Sequence, residues 1–330
     1  CSRGSSIISP EPSAPTVAVI SGGVGAARLL AGMVQVTDPA RIAAVVNVAD
    51  DTEFHGLLVC PDLDTITYTL AGAVNPDTGW GLAGETWAAL GSLRRHAKAN
   101  GRADIGWFAL GDLDLGTHLW RGHRLAEGAR LTEVTAEITR TFGLGLRLLP
   151  VSDDAIRTKV TTHDGGTLTF QEYFVRAQHD VDVATVRFSG AIEARPTPEA
   201  TVALRDAAVV VIAPSNPIVS VGPVLAVPGI GEALSLRRES VIAVSPIVGG
   251  AALKGPAARL MTNLGEEASV VGVARRYAPF ASALIIDTVD ADLAGAVAQA
   301  GMTPVVAPSI MDTPERAAEL ARVCLAGAPR

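Results

Sequence analysis

Hydrophobic and polar positions alternate along this chain in two rhythms. Short apolar runs, "TVAVI" (16–20) and "IAAVVNV" (42–48), read as strands buried on both faces. Between them, "AARLLAGMVQV" has the spacing of an amphipathic helix. A glycine-rich turn, "SGGVG", joins the first strand to that helix. This order predicts the start of a doubly wound α/β sheet. Further strands are expected in "DIGWFALGD", ending at Gly111-Asp112, in "DAAVVVIAPSNP", ending at Pro214, and in "SVIAVSPIVGG", ending at Pro246. "ASALIIDTVD" and "MTPVVAP" supply two more, each followed by helix-like sequence. The middle of the chain changes rhythm. "KVTTHDGGTLTFQEYFV" (159–175) alternates with period two around Asp164-Gly165-Gly166, a β-hairpin pattern.

The predicted architecture is therefore a Rossmann-like, doubly wound and mostly parallel sheet with an inserted α+β subdomain. The α/β core is expected over residues 16–110 and 196–330, and the insert over 111–195. Residues 1–15, rich in Ser and Pro, are expected to form a flexible tail outside the fold.

Composition narrows the function classes. The 330 residues suffice for a full core, which should be aliphatic because aromatics make up only 4%. The net charge of -7 and the lack of a basic tract argue against a nucleic-acid partner. No run of eighteen apolar residues occurs, so no membrane span is expected. The three cysteines have neither metal-ligand nor disulfide spacing, which points to a reducing cytoplasm. A homodimer is expected, as for many enzymes of this size.

Four stretches carry candidate chemistry. The first is "SGGVGAAR", where Gly22, Gly23, Val24 and Gly25 would let a phosphate approach the backbone at a helix N-terminus. Arg28 stands where a dinucleotide fingerprint has its third glycine, and it could reach that phosphate. The second is "VVNVADDTEFHGLLVCPDLDT", with Asp50, Asp51, Asp62 and Asp64. One acid there could clamp a ribose, and Asp62 doubles as a candidate N-cap of the next helix. Four acids beside a phosphate site also suit Mg²⁺, which prefers oxygen ligands. The third is "APSNPIVSVGP", which places Ser215 and Asn216 at a strand end, as a turn or as a binding loop. The fourth is "GDLDLGTHLWR", in which His118 and Arg121 are three apart and share a helix face. There the choice is between a solvated helix start and a functional face.

With these motifs in order, the chain resembles a known family. It is similar to the 2-phospho-L-lactate transferases of deazaflavin coenzyme F-420 biosynthesis, including the members described as phosphoenolpyruvate transferases. The matching stretches include "SGGVGAARLLAG", "VVNVADD", "CPDLDTITYTLAG", "ETW", "LGDLDLGTHLWR", "FQEYFVR", "APSNPIVSVGPVLAVPGI" and "SPIVGGAALKGPAA", in family order over residues 16 to about 325. The resemblance implies a guanylylated three-carbon acid as donor and 7,8-didemethyl-8-hydroxy-5-deazariboflavin as acceptor. The acceptor's ribityl hydroxyl would attack the phosphorus bearing the acid, releasing GMP, with Mg²⁺ as cofactor. Gly22–Gly25, Arg28, Ser215 and Asn216 would then bind the nucleotide. Asp50, Asp51, Asp62 and Asp64 would form the catalytic wall, with Asp50 and Asp62 on the metal. His55, Thr86 and Trp87 would flank the deazaflavin. The alternatives are an NAD-dependent dehydrogenase, suggested by Gly23, Gly25 and Asp50, and a non-catalytic guanine-nucleotide-binding module.

Overall fold

The structure, a computed structural model, describes residues 17–102, 104–252 and 255–327. The expected tail at residues 1–15 lies outside the described residues. Seven strands form one parallel sheet: β1 (Val17–Ser21), β2 (Ile42–Val46), β3 (Arg147–Pro150), β4 (Val209–Ile212), β5 (Val241–Val244), β6 (Ala283–Ile286) and β7 (Thr303–Val306). Their spatial order is β7-β6-β5-β4-β1-β2-β3, and all six pairings are parallel. The apolar runs are continuous because the inner strands are covered on both faces. All five residues of β1, and of β2, are fully buried. The α/β architecture predicted from the pattern is thus the one observed.

Helix α1 (Gly23–Val36) follows β1 and packs on the C-terminal helix Pro314–Ala326 and on α2 (Pro61–Leu70). After β2 the chain forms a small hairpin, Thr52–Phe54 with Leu57–Val59, before entering α2. Helices α3 (Ala88–Ala99), α4 (Asp112–Ala126) and α5 (Leu131–Thr141) precede β3.

Two expectations need correction. No strand forms over "DIGWFALGD". Residues 104–111 are irregular, and Phe108 stacks on Phe54 of the hairpin with ring centroids 4.0 Å apart. Trp107 meets Phe54 edge-on at 5.5 Å. These aromatics bury themselves in a local cluster, so a place in the sheet is not needed to cover them. Residues 111–195 are also not a single insert. β3 lies inside that interval yet pairs with β2 at the edge of the central sheet, where Leu148 and Leu149 are buried. The period-two segment does form its own antiparallel sheet, Thr167–Thr169 and Val183–Ser189 flanking Arg157–Thr162.

The ends of β6 and β7 are tied by Asp287. Its carboxylate accepts from Ser309 N at 2.7 Å, Ser309 Oγ at 3.1 Å and Val289 N at 3.1 Å. Burial would raise the pKa of this acid, but the hydrogen bonds prevail and hold it below the ordinary carboxylate value. A depressed folded pKa contributes stability above the unfolded value, about 3.9. That stability is lost as pH falls through the folded value. Asp287→Asn is therefore expected to cost about 1 kcal/mol at pH 7 and to flatten the acid limb of stability below pH ~4, read by urea unfolding across pH.

Candidate active site

In β-sheet order, the chain leaves β1 for β2 and β3 on one side, then returns at β4 on the other. β1 and β4 therefore flank the topological switch point, where open α/β sheets bind ligands beyond the strand C-termini. The two loops that leave these strands touch. A Cβ built on Gly25 would lie 2.2 Å from the carbonyl oxygen of Pro214, and one on Gly22 would lie 2.7 Å from Ser220 Cβ. Any side chain at either position would force the loops apart. Gly23 has φ +65°, in the left-handed region, and turns the chain into α1. Val24 sits half-buried in the first helical turn.

The acidic wall faces this turn. Asp62 lies in the first turn of α2 and is not its cap; Cys60 holds the N-cap position. The Asp62 carboxylate instead accepts from the Gly23 backbone N–H and from Asn47 Nδ2, the latter at 2.9 Å. The same amide nitrogen reaches Asp50 Oδ2 at 3.1 Å. Asn47 Oδ1 accepts from Ala49 N at 2.9 Å, which fixes the amide orientation. Asp50 Oδ1 accepts from Thr158 Oγ1 at 3.0 Å, and its backbone carbonyl from Gln171 Nε2 at 3.2 Å. Asp50 and Asp62 thus share one neutral donor, and among the described residues neither has a cationic partner.

The charges register this. Burial, then the neighbouring Asp62, raises the pKa of Asp50 well above its ordinary value. Burial pushes Asp62 up to about 6 against the hydrogen bonds from Asn47 and Gly23. Asp51 is buried and pushed up to about 8, chiefly by desolvation, and its Oδ1 has no partner. Asp64 differs, because both its oxygens are held by the buried guanidinium of Arg121.

On the opposite loop, Ser215 Oγ is buried without a partner. Asn216 spends its side-chain oxygen on Ile218 N at 2.9 Å and Val219 N at 3.3 Å, so it shapes the loop. Arg28 is exposed on α1, with Nη1 3.5 Å from the Met311 carbonyl. Thr86 donates to Asp112, whose carboxylate also receives Ala88 N and Ala89 N at the start of α3. Glu85 does the same for α4 through Leu113 N and Asp114 N. Trp87, at this corner, is 46% exposed. His55 takes φ 55° at the exposed tip of the small hairpin. Among the described residues, no hydrogen bond joins His55, Thr86 or Trp87 to the four aspartates.

The model of the 2-phospho-L-lactate transferase CofD family matches residues 17–322. The chain belongs to this family. The phosphoenolpyruvate transferase of Kitasatospora aureofaciens is 39% identical over 317 residues, covering 94% of this chain and 97% of that protein. That of Mycobacterium avium (strain 104) is 42% identical over 285 residues, covering 79% and 83%. Two crystal structures of a Bacillus halodurans protein, described as a member of the UPF0052 family, share the fold. They superpose with TM-scores of 0.61 and 0.59 at 19% and 18% identity, covering 95% of this chain. This is a transferase family; the dehydrogenase alternative, which rested on Gly23, Gly25 and Asp50, finds no support in it.

Chemistry at a phosphate ester needs charge neutralised where the phosphates sit. Among the described residues, no three or more His, Cys, Asp or Glu side chains form a ready-made metal cage. Two carboxylates without a cation, beside a turn suited to phosphate, nevertheless fit a hard divalent ion. Mg²⁺ commonly takes one or two protein carboxylates and completes its shell with water and substrate phosphate. Three buried residues escaped the sequence reading as site members: Asn47, which reads as strand, Thr158, from the small sheet, and Gln171, at the start of the helical turn that follows it. The "VVNVADD" stretch contains Asn47, but nothing in its spacing reveals that one amide bridges two acids.

Proposed function

We propose that this chain moves a phospho-three-carbon-acid group from its guanosine diphosphate derivative to the ribityl hydroxyl of 7,8-didemethyl-8-hydroxy-5-deazariboflavin. GMP is released, and the product is a precursor of deazaflavin coenzyme F-420. The observation that carries this reading is the Asn47-bridged pair, Asp50 and Asp62, set against the Gly22–Gly25 turn at the switch point. The names of the relatives favour phosphoenolpyruvate over 2-phospho-L-lactate as the transferred group.

The residues divide the work. The glycine turn and the N-terminus of α1 offer backbone N–H groups to the diphosphate. Ser215, with its unpartnered buried hydroxyl, supplies a donor from the facing loop. Asp50 and Asp62 would hold Mg²⁺, which when bound neutralises the diphosphate and polarises its P–O bonds. The acceptor oxygen forms a bond to the phosphorus bearing the acid, and the bond from that phosphorus to the GMP oxygen breaks. The hydroxyl proton passes to the carboxylate wall, where the ionised form of Asp51, which predominates above its raised pKa of about 8, would take it at the unpartnered Oδ1. Trp87 and Thr86 lie at the corner nearest the start of α4, a surface on which a planar ring could stack.

Incubating the protein with the deazaflavin, Mg²⁺ and an equimolar mixture of enolpyruvyl and lactyl donors is expected to release GMP and to give mainly the enolpyruvyl product, read by mass. Guanine-nucleotide binding without GMP release would favour the sensing module instead.

A further inference from the structure

Arg121 is the one large cation buried inside the acidic wall among the described residues. It lies on α4, 57 residues along the chain from Asp64. Nη1 donates to Asp64 Oδ2 at 3.2 Å, Nη2 donates to Asp64 Oδ1, and Nη1 also reaches the Leu58 carbonyl at 3.2 Å. The same Nη1 is 3.0 Å from His118 Nδ1. A guanidinium has only donors, so where the two meet Nδ1 accepts and the ring proton sits on Nε2; the two hydrogens of Nη1 are shared among Asp64, Leu58 and Nδ1. Nε2 is 3.3 Å from Asp114 Oδ2, a close approach without hydrogen-bond geometry, and Asp114 Oδ1 receives the Tyr68 hydroxyl at 2.6 Å. Arg121 Nε and Asp51 Oδ1 are both buried without a partner. The guanidinium is close enough to Asp51 to stabilise its charged form.

The wall therefore has two unlike halves. Asp50 and Asp62 rest on a neutral amide and have no cation. Asp51 and Asp64 lie under a fixed positive charge, which is itself braced by His118, Asp114 and Tyr68. We infer that Arg121 is a positioning residue that divides the four-acid wall, cancelling the Asp64 charge so that the wall offers one divalent-cation site, at Asp50 and Asp62, and not two. This rests on the proposed metal-assisted transfer. It adds a specific role for a residue that would touch neither metal nor substrate.

The test uses Mn²⁺, an oxygen-binding stand-in for Mg²⁺, with the full-length chain and no substrate. Free Mn²⁺ is read by electron paramagnetic resonance, and thermal unfolding is recorded for each variant. The wild type is expected to bind one Mn²⁺ per chain. Arg121→Met should bind a second equivalent, or bind the first at least about tenfold more tightly. Arg121→Lys, which keeps the charge without the fork, should retain one equivalent. Because Arg121→Met leaves Asp64 buried and unpaired, it could fail to fold. The double variant Arg121→Met/Asp64→Asn removes both charges and should return Mn²⁺ binding to the wild-type value. If Arg121→Met folds and binds Mn²⁺ within twofold of wild type, the inference is overturned. The same holds if the double variant binds a second equivalent. Wild-type protein that releases GMP but binds no Mn²⁺ overturns the metal assignment and this inference together. Wild-type protein that binds one Mn²⁺ without releasing GMP leaves the division of the wall standing and sinks the transfer.

Discussion

Asp62→Asn is expected to lower GMP release by about a hundredfold or more and to make the metal-free protein more stable at pH 8. The first effect follows from the loss of one of two carboxylates that would hold the cation, where removing charge stabilisation typically costs several kcal/mol. The second follows from linkage. In the unfolded chain an aspartate ionises above about pH 3.9. In the folded chain burial keeps Asp62 protonated up to about 6. An acid with a raised folded pKa loses stability as pH climbs between those two values, and the penalty persists above them. That gap corresponds to about 3 kcal/mol at pH 8. Asparagine has nothing to ionise and keeps one oxygen to accept from Asn47. Urea unfolding in chelator should show the variant ahead of wild type at pH 8 and nearly level at pH 4. A variant less stable than wild type at pH 8 would mean that the wall is compensated in some other way.

Gly25→Ala should have the other large effect, with the opposite sign on stability. Its Cβ would stand 2.2 Å from the Pro214 carbonyl, against backbone that has no rotamer to yield. Overpacking of this kind costs about 1–3 kcal/mol and often more where backbone must move. The displacement also opens the switch-point crevice, so the KM for the guanylylated donor should rise at least tenfold. Gly116→Ala serves as the control. Gly116 lies inside α4 with nothing near its Cβ position, and the same substitution there should add about 0.5–1 kcal/mol. If Gly25→Ala matched wild type in both unfolding and donor KM, the contact between the two strand-end loops would have no functional meaning.

How far the sequence reveals this arrangement depends on how local each cause is. Strands such as Val17–Ser21 and Val209–Ile212 are legible because a sheet covered on both faces demands unbroken β-rich apolar runs. The glycine turn is legible because it joins such a run to a helix. The expected strand near Trp107 fails because three aromatics found partners in one another and in the 52–59 hairpin. That hairpin, which the sequence reading did not single out, turns at His55-Gly56, whose φ values of 55° and 79° suit a tight turn. His118 and Arg121 could be seen to share a face, but their partner could not, because Asp64 lies on another helix. All four aspartates were visible as a group. What separates them, Asn47 on one pair and Arg121 on the other, is a matter of three-dimensional neighbours.

The grip on Asp50 of Thr158, in the small antiparallel sheet, and of Gln171, just beyond it, bears on how the site is assembled. Thr158 and Gln171 reach that aspartate across 108 and 121 residues of chain. Contacts of such long sequence separation close late, since the loop entropy must be met before they return anything. During folding, then, Asp50 stays hydrated and charged on a sheet whose first strands can already pair. The docking of the segment that carries Thr158 and Gln171 completes its enclosure. A nascent chain that has not yet emerged past residue 171 carries the glycine turn and all four acids, but not the enclosure that gives them their chemistry.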